Sequence, residues 1–102
     1  TYLYNKMVTP RVDFNEEKNL LLKATRGVNF EDVVDAIEKG KVLDDFQHIS
    51  KKNQRIIVIK IKNYAYAVPY VLDKGKGTMF LKTMYPSRVL TKKYMKKKRG
   101  GI

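Results

Sequence analysis

Residues 55–85, RIIVIKIKNYAYAVPYVLDKGKGTMFLKTMY, decide the fold because they hold three strand patterns separated only by short turns. The patterns cover residues 55–62, 64–72 and 78–85, and the glycine-containing turn DKGKG at 73–77 joins the last two. Strands joined this closely are antiparallel, because a parallel return needs a crossover of about a dozen residues or more. The stretch therefore predicts an antiparallel meander.

Side-chain alternation within these strands predicts which residues share a face of the sheet. Ile57, Ile59 and Ile61 fall on one side of the first strand. In the second strand one side holds Tyr64, Tyr66, Val68 and Tyr70. Pro69 cannot donate a ladder hydrogen bond, so it indicates an edge strand or a bulge.

The N-terminal half carries helix signals instead. Residues 15–26 begin with Asn15 as an N-cap, place two glutamates in the first turn and stop at Gly27. Residues 29–40 repeat this pattern, with apolar residues at helical spacing. The pattern predicts two consecutive amphipathic helices.

Three further elements complete the predicted domain. Residues 9–14 and 41–49 are typical of strands, and Ser87 is a suitable cap for a C-terminal helix over 88–98. We expect residues from about 97 to 102 to form a frayed basic tail. We predict an α+β fold in which a small antiparallel sheet is packed by two N-terminal helices and a basic C-terminal helix. All 102 residues belong to this single domain.

The positive charge is concentrated in the second half of the chain. Residues 1–50 carry 7 Lys and Arg against 9 Asp and Glu, whereas residues 51–102 carry 15 against 1. Such a local surplus attracts polyanions, since each phosphate contact releases condensed counterions. A nucleic acid is the partner that this asymmetry favours.

Several classes of protein are disfavoured by what the sequence lacks. It has no cysteine, no apolar run of the roughly 20 residues that a membrane span needs, and no secretory h-region at its start. Glycine-rich phosphate loops and metal-ligand spacings are also absent. We expect a soluble cytoplasmic protein with no cofactor, no metal and no membrane partner.

One reaction suits a chain rich in Lys, Arg and Tyr with a single His. It is the metal-free cleavage of RNA, in which the 2′-OH attacks the neighbouring phosphate with help from a general base, a general acid and cations. His48 is a residue type that can act as a general base, Tyr85 can donate a proton, and Arg88 can bind phosphate through two N–H groups. These three are the predicted catalytic residues. The predicted RNA contacts are Arg55, Lys82, Lys92, Lys93, Lys96 and Tyr70.

Other interpretations of the same residues stay open. A lone His at a strand end is often structural, and alternating tyrosines such as Tyr70 often pack across strands. Without an acid and a base, the basic half and its tyrosines would still make a noncatalytic RNA- or DNA-binding module. A third alternative is a protein-interaction domain whose basic helix docks an acidic partner.

The order of these pieces resembles a known family, the BrnT-like toxins of bacterial type II toxin-antitoxin systems, within the wider RelE-like group. The resemblance rests on VDFNEEKNLLLKATRGVNFEDVVDAIEKG, QRIIVIKI, YAYAVPYV and FLKTMYPSRVLTKKYM, and it covers about residues 11–95. The chain looks like a divergent branch, because Phe14-Asn15 replaces the family's Trp-Asp and Thr25-Arg26-Gly27 replaces its Lys-His-Gly.

The resemblance implies an endoribonuclease, an mRNA interferase that inhibits translation and growth and is neutralised by a cognate antitoxin. It implies RNA as substrate, including mRNA on the ribosome, and contact with operator DNA only through the antitoxin. Arg88, Lys92 and Lys93 match the family's terminal basic motif.

Overall fold

The structure, a computed structural model, describes residues 11–73 and 75–95. The elements follow one another in the order β1 (Arg11–Phe14), α1 (Glu16–Arg26), α2 (Phe30–Glu38), β2 (Val42–Gln47), β3 (Gln54–Ile61), β4 (Tyr64–Asp73), β5 (Thr78–Leu81), β6 (Tyr85–Pro86) and α3 (Arg88–Met95). The predicted α+β class is confirmed. Lys96 and the predicted tail lie outside the described residues.

Both N-terminal helices begin and end where their caps predicted. The Asn15 side chain accepts a hydrogen bond from the Lys18 backbone N–H at 2.9 Å, and Gly27 closes α1 in the left-handed region at φ 71°. Asn29 and Asp32 form a capping box at the start of α2. Local sequence is sufficient to fix these boundaries.

The strands form one mixed sheet, in the order β1-β5-β4-β3-β2. Strands β2 to β5 are antiparallel neighbours, as the meander predicted, but β1 lies parallel to β5. The prediction of a purely antiparallel sheet is therefore wrong. The chain between β1 and β5 contains both helices and the meander, so it is long enough to allow the parallel arrangement.

Pro69 lies in a central strand, where the edge interpretation fails and the bulge interpretation holds. The predicted strand 78–85 is interrupted: Tyr70 pairs with Leu81 and Ala67 pairs with Tyr85. Between these two pairs, Val68 and Pro69 of β4 lie opposite the three residues 82–84, so the strand after β5 contains one extra residue. The missing N–H of Pro69 falls at this interruption, where its carbonyl accepts the Lys82 N–H at 2.9 Å.

The main core lies between α1, α2 and one face of the sheet. Phe30 is fully buried there, and its ring centroid lies 5.1 Å from that of Phe14. The buried Asn19 side chain accepts the Phe30 N–H at 2.7 Å, which links α1 to the start of α2. This hydrogen bond satisfies one of the donors that a helix N-terminus leaves unpaired.

Candidate nucleic-acid interface

The strand register assigns the sheet residues to two faces. Ile57, Ile59, Ile61, Val68 and Tyr70 pack with α1 and α2 in one cluster. By alternation, the opposite face holds the partners Asp44, Val58, Ala67 and Tyr85 in one cross-strand row. The next row of that face holds Phe46, Ile56 and Pro69.

Helix α3 covers part of this opposite face. The Thr91 hydroxyl accepts the Ala65 N–H at 2.9 Å, and the Tyr94 hydroxyl donates to the Asp44 carboxylate, so the helix runs from β4 toward β2. The hydrogen bond to Asp44 raises the pKa of Tyr94 above its ordinary value. Ser87 caps the helix as predicted, because its hydroxyl accepts the Leu90 N–H at 3.1 Å.

Beyond α3 the sheet leaves an uncovered apolar area, which we call the open face. Its aromatic member with most exposure is Phe80, at 39%. Asp13 flanks Phe80 across β1 and is its nearest carboxylate in the register. The open face consists of the exposed Phe80, the half-buried Phe46, Gln54, Ile56 and Val71, and the buried Pro69 between them.

Four cations lie beside the open face or on α3. The Lys82 ammonium lies 5.6 Å from the centroid of the Phe80 ring, which puts Lys82 at the border of the open face. Arg88, Lys92 and Lys93 are exposed along the outer side of α3. None of these four cations forms an ion pair with a carboxylate of the described residues. Their charge is therefore available to an external anion.

Two of the three predicted catalytic residues lie at opposite ends of this face. His48 is level with Gln54, to which it donates its backbone N–H, and Tyr85 is level with Ala67. From His48 to Tyr85 the sheet extends four residues along the strands and three strand spacings across them. These two offsets separate the backbones of His48 and Tyr85 by roughly 20 Å. His48 and Tyr85 therefore do not meet at one phosphate in this arrangement.

The His48 ring has a structural role in its own loop. Its Nδ1 accepts the backbone N–H groups of Ser50 and Lys51, both at 3.2 Å. These bonds hold the turn between β2 and β3. Arg88, by contrast, stands only three residues after Tyr85 at the exposed start of α3.

Arg55 and Tyr70 lie on the helix-covered face, away from the open face. The carboxylate of Asp45, 2% exposed, accepts the Tyr70 hydroxyl at 2.9 Å and Arg55 Nε at 3.1 Å. Tyr70 is fully buried, so it has no surface with which to stack on a base. The position of Tyr70 therefore does not support the predicted contact with RNA. Arg55 remains partly exposed, at 30% of its side chain.

Replacing Tyr70 by phenylalanine is expected to reduce the loss of stability above about pH 10. Burial, followed by the charge of Asp45, raises the pKa of Tyr70 far above its ordinary value of 10.0. The phenol stays protonated in the folded protein while it ionises in the unfolded chain. The buried Tyr70 phenol therefore contributes its full stabilisation of the folded state below about pH 10, and this stabilisation declines as the pH rises further.

The measurement is urea unfolding of the wild type and of Tyr70→Phe at about pH 8 and about pH 11. The control Phe46→Leu removes no titratable group and should keep the wild-type pH dependence. If Tyr70→Phe also keeps the wild-type pH dependence of stability, the core does not hold Tyr70 in its protonated form.

Sequence reasoning missed the apolar members of the interface. Alternation already separates Ile56 from Ile57, but it does not show which side the helices cover. Phe46 and Phe80 come from strands that are far apart in the chain, and only the register aligns them with Ile56 and Val71.

Across residues 11–73 and 75–95, no three His, Asp or Glu side chains are gathered as metal ligands would be. Within the same ranges, no helix combines the length and apolarity of a transmembrane span.

Comparison with protein-family models, with curated proteins and with solved structures found no match for this chain.

Proposed function

We propose that this protein is the toxin of a type II toxin-antitoxin pair, a divergent relative of the BrnT-like toxins, which cleaves RNA without a metal ion. It acts in the bacterial cytoplasm on RNA, including mRNA on the ribosome, and thereby inhibits translation and growth. A cognate antitoxin neutralises it and carries any contact with operator DNA.

The observation that carries this proposal is the grouping of Lys82, Tyr85 and Arg88 beside the open face. Seven consecutive residues contain all three, and they surround the interruption between β5 and β6. Apolar and aromatic side chains on a sheet suit unstacked bases, and cations at its border suit the RNA backbone. Two cations and a phenol thus border one end of a surface that can hold single-stranded RNA.

The chemistry requires one bond to form and one to break. The 2′-hydroxyl gives up its proton to a solvent water and its oxygen bonds to phosphorus while the bond from phosphorus to the 5′-oxygen breaks, which leaves a 2′,3′-cyclic phosphate and a 5′-hydroxyl. We assign Tyr85 as the acid that protonates the leaving 5′-oxygen. Arg88 and Lys82 stabilise the charge that develops on the phosphoryl oxygens. Lys92 and Lys93 extend the phosphate-binding surface along α3.

A second candidate function is a noncatalytic RNA-binding module. The separation of roughly 20 Å between His48 and Tyr85 favours it, because His48 cannot then supply the base for a phosphate held near Tyr85. The open face and the cations of α3 suffice for binding alone.

Incubation of the purified protein with RNA in excess EDTA separates the two functions. We expect fragments that end in a cyclic phosphate, and no cleavage where the attacking 2′-OH is replaced by hydrogen. The control variant is Tyr85→Phe, which keeps the ring and should cut more slowly while binding RNA equally well. Binding without cleavage, on free RNA and on translating ribosomes alike, would establish the noncatalytic module instead.

A further inference from the structure

A cleft of about 520 Å³ lies between α1 and the end of β5. It opens where β1 stops, because Phe14 is the last residue of β1 to pair with β5, opposite Leu81. The lining residues are Asn15, Glu17, Lys18, Leu21, Phe80, Leu81 and Lys82.

The cleft has apolar walls that the fold itself leaves uncovered. In the run Leu20-Leu21-Leu22, only Leu22 packs in the core, at 5% exposure, whereas Leu21 is 60% exposed. Leu21 faces the cleft from α1, and Phe80 faces it from β5. Exposed apolar side chains that converge on a cleft are typical of a protein-docking site.

The charges at this cleft select an acidic occupant. Lys18 and Lys82 line it against a single carboxylate, that of Glu17, so the lining residues carry a surplus of one positive charge. An acidic amphipathic segment complements both properties, since its apolar side chains contact Leu21 and Phe80 while its carboxylates meet the lysines. RNA has no branched aliphatic side chain to pack against Leu21, since its apolar surfaces are mainly the flat faces of its bases.

We propose that this cleft docks an acidic amphipathic segment of a protein partner and that the docked segment excludes RNA. Phe80 and Lys82 line the cleft and also belong to the open face or its border. A segment in the cleft therefore occupies groups that RNA would need. The exclusion of RNA rests on the proposed function, whereas docking of the segment does not.

The probe is a synthetic acidic peptide with leucine at every third or fourth position and glutamate between, beside a scrambled peptide of the same composition. We expect the amphipathic peptide to bind more tightly than the scrambled one. Leu21→Glu should remove that difference, with a loss of about tenfold or more. The matched control is Leu20→Glu, because Leu20 is 59% exposed on the same helix but does not line the cleft.

Equal binding of the two peptides, or equal effects of the two substitutions, would overturn the docking site. Displacement of labelled RNA by the amphipathic peptide tests the shared surface, and simultaneous binding of both would overturn the exclusion. Loss of RNA affinity in Leu21→Glu but not in Leu20→Glu, without any difference between the peptides, would assign the cleft to RNA instead. A protein that binds no RNA refutes the proposed function, while the peptide arm still decides the docking site.

Discussion

Asp45→Ala is expected to lower the free energy of unfolding by about 3–5 kcal/mol. The Asp45 carboxylate is 2% exposed and is the acceptor for both Arg55 Nε and the Tyr70 hydroxyl. Its removal leaves the fully buried phenol without this acceptor and takes the countercharge from Arg55. Urea unfolding at neutral pH measures the change.

The matched control is Asp35→Ala, which also removes one carboxylate from an ion pair. Asp35 lies 3.3 Å from Lys39 on the surface of α2, and both side chains are about 60% exposed. That pair is worth about 0.5 kcal/mol or less. Similar small changes in both variants would mean that the Asp45 network does not hold β2, β3 and β4 together.

Arg88→Ala is expected to lower the rate of RNA cleavage by about 10²–10³-fold. In the proposed function this guanidinium stabilises charge on the phosphoryl oxygens, and its exposure at the start of α3 leaves the fold unaffected by truncation. Arg88→Lys should recover part of the rate, because an ammonium keeps the charge but loses bidentate binding. Single-turnover cleavage in EDTA is the measurement.

Lys39→Ala is the control for loss of one positive charge. Lys39 is 61% exposed at the end of α2, which packs on the opposite face of the sheet, and its removal should leave the rate unchanged. Equal losses in Arg88→Ala and Lys39→Ala would attribute the effect to net charge. An unchanged rate in Arg88→Ala would remove Arg88 from the catalytic machinery.

Much of the fold could be predicted because its signals are local. Asn15, Asn29 and Ser87 each accept the hydrogen bonds that capping requires, and the short turns after β3 and β4 enforce antiparallel pairing. The pairing of β1 with β5 could not be predicted in this way. It joins segments more than sixty residues apart, and no turn fixes its direction.

The candidate site likewise has features that local sequence predicts and features that depend on tertiary packing. Helical spacing alone separates Arg88 and Lys92 from Tyr94 around α3, and in the structure Tyr94 donates a hydrogen bond to Asp44 of the sheet. The sequence did not predict that Tyr70 is buried while Tyr85 is exposed. Both are tyrosines in apolar strands, and only the packing of the helices distinguishes them.

By itself the sequence determined the helices and their caps, the antiparallel meander and the accumulation of positive charge in the second half. The tertiary structure alone decided which face of the sheet receives α1 and α2. Period-two alternation shows which residues share a face, but both faces of β3 carry apolar residues, Ile57 on one and Ile56 on the other. Tyr70 and Asp45 lie on the face that α1 and α2 bury. Phe80, Lys82 and Tyr85 lie together on the opposite face.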